Sequence, residues 1–258
     1  MRKYIDLNSD MGEVPGFLRD GTQETIMRWL SSVNIACGGH AGDESMMRET
    51  VHQAMRCKLA IGAHPGYPDR KNFGRIPLNL THDEVVSLVA EQIAALSQIT
   101  ESCGAPLTHV KPHGALYNQA VNDRALSAAI ARGVKRWGGD VVLVGLAGSA
   151  MLDEFRNAGF RAAGEAFVDR CYEPDGTLRS RQLARALIIS PDEAAAQALS
   201  IAADGKVQAL DGSDIALSAE TLCIHGDTPG AAGIAAAVSQ ALKKSGVTLS
   251  SFERGPSE

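Results

Sequence analysis

Six short apolar runs in this chain are each followed by polar or ionisable side chains. Asp6, Asn8 and Asp10 follow the first. Next come His40, His64, Lys111 with His113, Glu165 with Asp169 and Arg170, and His225 with Asp227. The first group is the densest. Residues 3–5 read as a strand, and strand alternation puts Tyr4, Asp6 and Asn8 on one face, with Ile5 and Leu7 on the other. Asp10 and Glu13 then fall just past the strand end. Crowding so many carboxyl and amide groups costs desolvation unless they bind a ligand or each other, and perturbed carboxylates gather at active sites. The structural alternative is a polar turn closed by an Asx hydrogen bond. An EF-hand is ruled out, because its sixth and twelfth places need Gly and Glu and here hold Met11 and Phe17.

The intervening sequence supplies the elements that position these groups. Helices are expected at about residues 21–30, after Asp43 through Met55, and at 82–102, 123–137, 149–157, 191–202 and 229–244. Strands are expected at 32–36, 59–63, 107–111, 141–145, 161–164 and 221–224. Asp43 caps the second helix, whose apolar side carries Met47, Val51, Ala54 and Met55, and Thr81 with Glu84 forms a capping box for the third. Thr228 with Pro229 reads as cap and first residue of the last helix. Residues 207–217 read as a small hairpin insertion around Asp211-Gly212, and residues 64–80 as a long loop with Arg70, Lys71 and Arg75. Strand and helix alternate about seven times, which predicts a parallel sheet covered by helices. No Gly-x-Gly-x-x-Gly follows the first strand, so a closed or nearly closed β/α barrel fits better than a dinucleotide-binding sheet. The strand ends of such a barrel converge on one mouth, where catalytic groups sit. A lone histidine after a strand is usually a capping or packing residue. Four of them with carboxylates and a lysine suit acid–base work, a metal, or both. His52 and His82 fall on helices and read as structural, and Met46, Met47 and Met55 as core filler.

The chain has 258 residues, 45% hydrophobic and 21% charged, with a net charge of −5. No composition break separates domains, so residues 1–258 read as one domain. The balance offers no basic patch for nucleic acid, and no apolar run is long enough to span a membrane. Five scattered cysteines argue for a reducing compartment, the cytoplasm by default.

The motifs Asp6-x-Asn8-x-Asp10-x-Gly12-Glu13, Asn34-x-Ala36-Cys37-Gly38-Gly39-His40-x-Gly42-Asp43 and Ala63-His64-Pro65-Gly66-Tyr67-Pro68-Asp69 occur in that order. They are followed by Val110-Lys111-Pro112-His113-Gly114-Ala115-Leu116-Tyr117-Asn118, then Glu165-x-Phe167-x-Asp169-Arg170 with Asp175-Gly176, and Cys223-x-His225-Gly226-Asp227. Together they resemble the LamB/YcsF family, the A-type component of 5-oxoprolinase, over nearly the whole chain. The resemblance implies a seven-stranded, distorted β/α barrel related to polysaccharide deacetylases. It implies ATP-dependent opening of 5-oxoproline to L-glutamate with two partner subunits, of B and C type. The chain has no Gly-x-x-x-x-Gly-Lys-Ser/Thr phosphate loop, so ATP is expected to bind in another manner, or at partners.

On that footing Asp10 or Asp6 is expected as general base, Lys111 as stabiliser of developing charge, and His113 or His225 as the acid for the leaving nitrogen. Arg170 is expected to hold the substrate carboxylate. Asn8, Glu13, His40, His64, Asn118, Glu165 and Asp169 complete the expected substrate site. A divalent metal is left open, with Asp10, His40 and His64 as its ligands if it is present. Three other readings also stay open: a metal-dependent deacetylase or amidase acting alone, a non-catalytic component that only binds substrate, and a homo-oligomer.

Overall fold

In the computed structural model, which describes residues 4–251, seven parallel strands close on themselves. They are β1 (Tyr4–Met11), β2 (Ser32–Ala36), β3 (Ala60–His64), β4 (Leu107–Val110), β5 (Val142–Leu146), β6 (Ala162–Phe167) and, after a hairpin of β7 (Lys206–Gln208) and β8 (Asp214–Ala216), β9 (Thr221–Ile224). Each pairs with the next in this order, leaving out the hairpin, and β9 returns to β1 through Asp6 beside Thr221 and Asn8 beside Cys223. A short β10 (Thr248–Leu249) joins the outer end of β1 in what the sequence reads as a polar tail. Lys3, expected in the first strand, and residues 252–258 lie outside the described residues.

The helices are α1 (Pro15–Arg19), α2 (Thr22–Met27), α3 (Glu44–Arg56), α4 (His82–Ser102), α5 (Gly114–Ala120), α6 (Arg124–Trp137), α7 (Ala150–Asn157), α8 (Pro191–Leu199) and α9 (Ala231–Lys244). Outward-facing strand residues such as Ile5, Leu7, Val33, Ile35, Ile61, Leu143 and Leu222 join the helices in one apolar core. Thr81 and Glu84 cap α4 reciprocally, as their spacing predicts. No helix among the described residues is long and apolar enough to cross a membrane.

Several local expectations change. β1 is longer than expected, so Asp10 lies within it and not past its end. Asp6, Asn8 and Asp10 all point inward, where cross-strand partners satisfy them, and so strand pairing continues through a stretch that looks like a turn. β6 extends to Phe167 for the same reason, with Glu165 inside. The helices α1 and α5 have no counterpart among the expected elements. α9 begins at Ala231 behind Gly230, a residue at φ 78°, and not at Thr228-Pro229, because the Thr228 hydroxyl is bonded to Asp169. Met47 is buried, but Met55 is exposed and fills no core.

Inside the barrel, Val142, Val144 and Ala163 form a small separate apolar patch. Most of the inward groups of β1 to β4 are polar, and Leu146 and Phe167 add apolar surface at the cavity. Gly62 on β3 makes this packing possible: a Cβ there would lie 2.1 Å from His109 Nε2, so the His109 ring occupies the space a side chain would need.

Candidate active site

The inward side chains at the strand ends open into one cavity of about 740 Å³, within the range of small-molecule sites. Asp10, His64, Lys111, His113 and His225 reach it from the strand ends, Tyr117 and Asn118 from α5, and Asn72 and Arg75 from the long 64–80 loop. Arg170, Arg179 and Arg181 reach it from the excursion after β6.

Lys111 is the buried centre. Its Nζ donates to Asp10 Oδ1 at 3.0 Å and lies 2.9 Å from Glu165 Oε1 and 3.1 Å from Cys223 Sγ. Burial alone would lower its pKa, but the neighbouring acidic groups, Asp10 foremost, hold it well above the usual lysine value. Burial likewise pushes Asp10 up, yet His64 and Lys111 outweigh it and hold the carboxyl well below its usual value. The pair is therefore an ammonium and a carboxylate at neutral pH.

Beneath Lys111 the network fixes each amide. Thr108 Oγ1 lies 2.7 Å from His109 Nδ1, and His109 Nε2 lies 2.9 Å from Asn34 Oδ1. Asn34 Nδ2 donates to both Asn8 Oδ1 and Asp10 Oδ1 at 2.8 Å. Burial pushes the His109 pKa down to about 3, so the ring is neutral. Asn8 Nδ2 donates to Glu165 and Thr221. Asp6 lies deeper: it accepts from the hydroxyls of Ser31, Ser32 and Thr221, does not line the cavity, and is pushed by burial up to about 6. The structure thus gives Asp6 and Asn8 a positioning place and Asp10 the cavity face.

Glu13, His40, His64 and His113 converge beside Asp10. Glu13 Oε1 lies 2.8 Å from His40 Nε2 and 3.3 Å from His113 Nδ1. The His40 and His113 rings stack in parallel, with centroids 3.5 Å apart. Phe73, in the left-handed region at φ 57°, turns its carbonyl to His113 Nε2 at 2.9 Å. Burial lowers the pKa of His40 and His113 well below the usual value and raises that of Glu13.

On the opposite wall, His225 Nδ1 meets Asp169 Oδ1 at 2.9 Å, and Asp169 also accepts from the His225 backbone N–H and the Thr228 hydroxyl. Burial raises the Asp169 pKa, but His225 and Thr228 more than offset this and leave it lowered. Asp169 thereby orients the ring, whose Nε2 has no hydrogen-bond partner among the described residues, at the cavity that His225 lines.

Arg170 is nearly buried and spends its guanidinium on the carbonyls of Ala186 and Arg179, which pin the excursion. Arg75 and Arg181 both pair with Asp227 at the rim. Arg70 is bound to the carbonyls of Gly38 and Gly42, away from the cavity lining. Sequence reasoning does not single out Arg181, Tyr117, Asn34 or Thr221 as site residues. Tyr117 stands beside the expected Asn118 in the same motif, whereas Arg181 follows no recognisable pattern.

A parallel β/α barrel whose mouth gathers buried acids, imidazoles and a lysine in one cavity is built as an enzyme is built. The chain belongs to the LamB/YcsF family, whose sequence model matches residues 5–256. It is similar to the 5-oxoprolinase A subunit of Chloroflexus aggregans, 49% identical over 95% of this chain and 97% of that protein. A second relative, the 5-oxoprolinase A subunit of Bordetella parapertussis, is 47% identical over 96% and 99%. Among solved structures, the lactam utilization protein from Thermus thermophilus superposes with a TM-score of 0.88 at 42% identity, covering 96% of this chain and 100% of that one. The peptidoglycan deacetylase PdaC from Bacillus subtilis, at TM-score 0.51 and 14% identity over 98% and 89%, shares the fold.

Proposed function

We propose that this chain is the component of a cytoplasmic, ATP-dependent 5-oxoprolinase that binds 5-oxoproline at the barrel mouth and takes part in opening its lactam to L-glutamate. The observation that carries the reading is the opposition of Lys111 and the Asp169–His225 pair across one cavity, in a chain whose relatives bear that name.

Opening the lactam adds water across the C–N bond: oxygen adds to the carbonyl carbon, and the ring nitrogen leaves carrying a proton. His225, oriented by Asp169, takes a proton from the attacking water and returns it to the departing nitrogen. The Lys111 charge, held in a buried site, favours the negative charge that grows on the carbonyl oxygen. A contact of that kind is worth ~3–4 kcal/mol of barrier. Asp10 keeps Lys111 in place and charged. The buried Tyr117 hydroxyl is set against the Glu165 carboxylate, and Tyr117 lines the cavity, where it is placed to meet a bound substrate.

ATP supplies the driving force by phosphorylating the lactam oxygen: water adds to the activated carbon, the ring nitrogen leaves with its proton to give a γ-glutamyl phosphate, and a second water releases phosphate and glutamate. Where the nucleotide sits, on this chain or on B- and C-type partners, is part of the test. The chain is assayed for glutamate release from 5-oxoproline with ATP, by itself and with candidate partner subunits. Turnover that needs this chain, ATP and 5-oxoproline together supports the proposal. Full turnover in mixtures lacking this chain overturns it.

A further inference from the structure

His64 and His113 meet in an arrangement that neither ring satisfies by itself. His64 Nδ1 lies 2.7 Å from the Lys111 carbonyl oxygen, and His113 Nε2 lies 2.9 Å from the Phe73 carbonyl oxygen. A carbonyl only accepts, so each of these nitrogens carries the ring proton. With both rings neutral, the remaining nitrogens, His64 Nε2 and His113 Nδ1, present lone pairs to each other at 2.9 Å, with the ring planes 87° apart. Two lone pairs at that distance repel unless a positive species lies between them. Carboxylates flank the same point: Asp10 Oδ2 is 3.3 Å from His64 Nε2, and Glu13 Oε1 is 3.3 Å from His113 Nδ1 and 3.9 Å from His64 Nε2.

We propose that Asp10, Glu13, His64 and His113 form a binding site for one divalent transition-metal ion, with Zn²⁺ the best fit. A tetrahedral ion with bonds of about 2.05 Å needs donor–donor separations of about 3.3 Å; the three among Glu13, His64 and His113 run from 2.9 to 3.9 Å, and Asp10 joins through its 3.3 Å approach to His64. Two imidazoles with two carboxylates, and no thiolate, suit Zn²⁺ better than Mg²⁺, which prefers six oxygens. The surroundings match as well. Both ring N–H groups are tied to backbone carbonyls, the arrangement that orients metal-binding histidines.

His40 lies outside the donor set, since a ring coordinates in its own plane and His40 lies parallel to His113 at 3.5 Å. It donates instead to Glu13 and steadies that carboxylate. Cys223 offers no competing anchor. Lys111 Nζ sits against its sulfur at 3.1 Å and occupies it. The charge balance agrees: Lys111 is the shared ammonium partner of Asp10 and Glu165, while Glu13 meets only imidazoles among its ion-pair contacts in the described residues. This site stands on donor geometry and does not depend on the lactam reading.

The test uses the full chain, stripped with a chelator, dialysed and titrated calorimetrically with ZnCl₂ and with MgCl₂. The expected result is one Zn²⁺ per chain at a Kd on the order of 1 µM or tighter, with Mg²⁺ at least ~100-fold weaker. His64→Gln and His113→Gln are each expected to weaken Zn²⁺ by ~100-fold or more, His40→Gln by ~10-fold, and Cys223→Ser not measurably. Co²⁺ loaded into the wild-type chain is expected to show the intense visible bands of a four-coordinate ion, a readout that needs no variant to fold. Absence of Zn²⁺ binding to the wild-type chain would mean that a shared proton bridges the two rings, and would overturn the proposal. Zn²⁺ binding unchanged in the His64→Gln/His113→Gln double variant, or a weak octahedral Co²⁺ spectrum, would overturn it equally.

Discussion

Replacing Lys111 by Met keeps the volume of the side chain and removes its charge. Asp10 Oδ1 at 3.0 Å and Glu165 Oε1 at 2.9 Å then lose their shared cation in a site where all three side chains are nearly inaccessible. Breaking a buried ion pair from one side costs about 3–5 kcal/mol, and in a chain of this size that lowers Tm by ~10 °C. The loss depends on pH in a defined direction. In the wild type the Asp10 pKa is depressed, so its contribution is complete above the unfolded value and fades as pH falls through the folded one. The Lys111 pKa is elevated, so its contribution is complete below the unfolded value and fades only at alkaline pH, as pH rises through the folded value. In Lys111→Met the carboxylates are buried without compensation, the depression of the Asp10 pKa is lost, and acid relieves the site. The gap in stability between wild type and variant is therefore largest near neutrality and narrows towards acid pH. Urea unfolding of both proteins at about pH 4.5, 6 and 8 measures it. A gap below ~0.5 kcal/mol at the highest of these, or one that does not change with pH, would refute the reasoning. In the same variant Asp10→Asn with Glu165→Gln is expected to recover part of the loss, since no charge is then left buried.

Gly62→Ala places a Cβ 2.1 Å from the His109 ring, and is expected to cost about 1–3 kcal/mol by overpacking, read by urea unfolding. Asp169→Asn leaves His225 without the carboxylate at 2.9 Å that orients it. In the reconstituted enzyme it is expected to lower kcat by ~100-fold or more, with KM little changed. Asp227→Asn frees Arg75 and Arg181 from their shared partner at the cavity rim. It is expected to alter KM for the anionic substrate more than Tm, because ion pairs that stay in reach of solvent contribute little to stability.

The barrel is legible in the sequence because its signals are local: alternating apolar runs and helix caps survive in one dimension, and Thr81 with Glu84 caps α4 where its spacing says it should. The mouth is legible because each barrel strand but β5 ends in a polar group. Errors arise where a tertiary partner overrides local preference. Asp6, Asn8 and Asp10 look like a turn, yet Thr221, Asn34 and Lys111 satisfy them inside β1. Thr228 looks like a helix cap, yet Asp169 takes its hydroxyl. Arg170 reaches the cavity, and the sequence does not show that the Ala186 and Arg179 carbonyls also take its Nε and Nη2. The opposition of His64 and His113 has no one-dimensional signal, because it depends on two strand ends and on the Phe73 carbonyl in a loop between them.

The reconstituted wild-type and His225→Ala enzymes, assayed side by side for 5-oxoproline consumption and ATP hydrolysis, test the central claim most directly. Lactam opening at the mouth of this barrel predicts that His225→Ala folds normally and loses glutamate formation by ~100-fold or more. Glutamate formation at the wild-type rate in the folded variant would contradict it and move the chemistry to a partner.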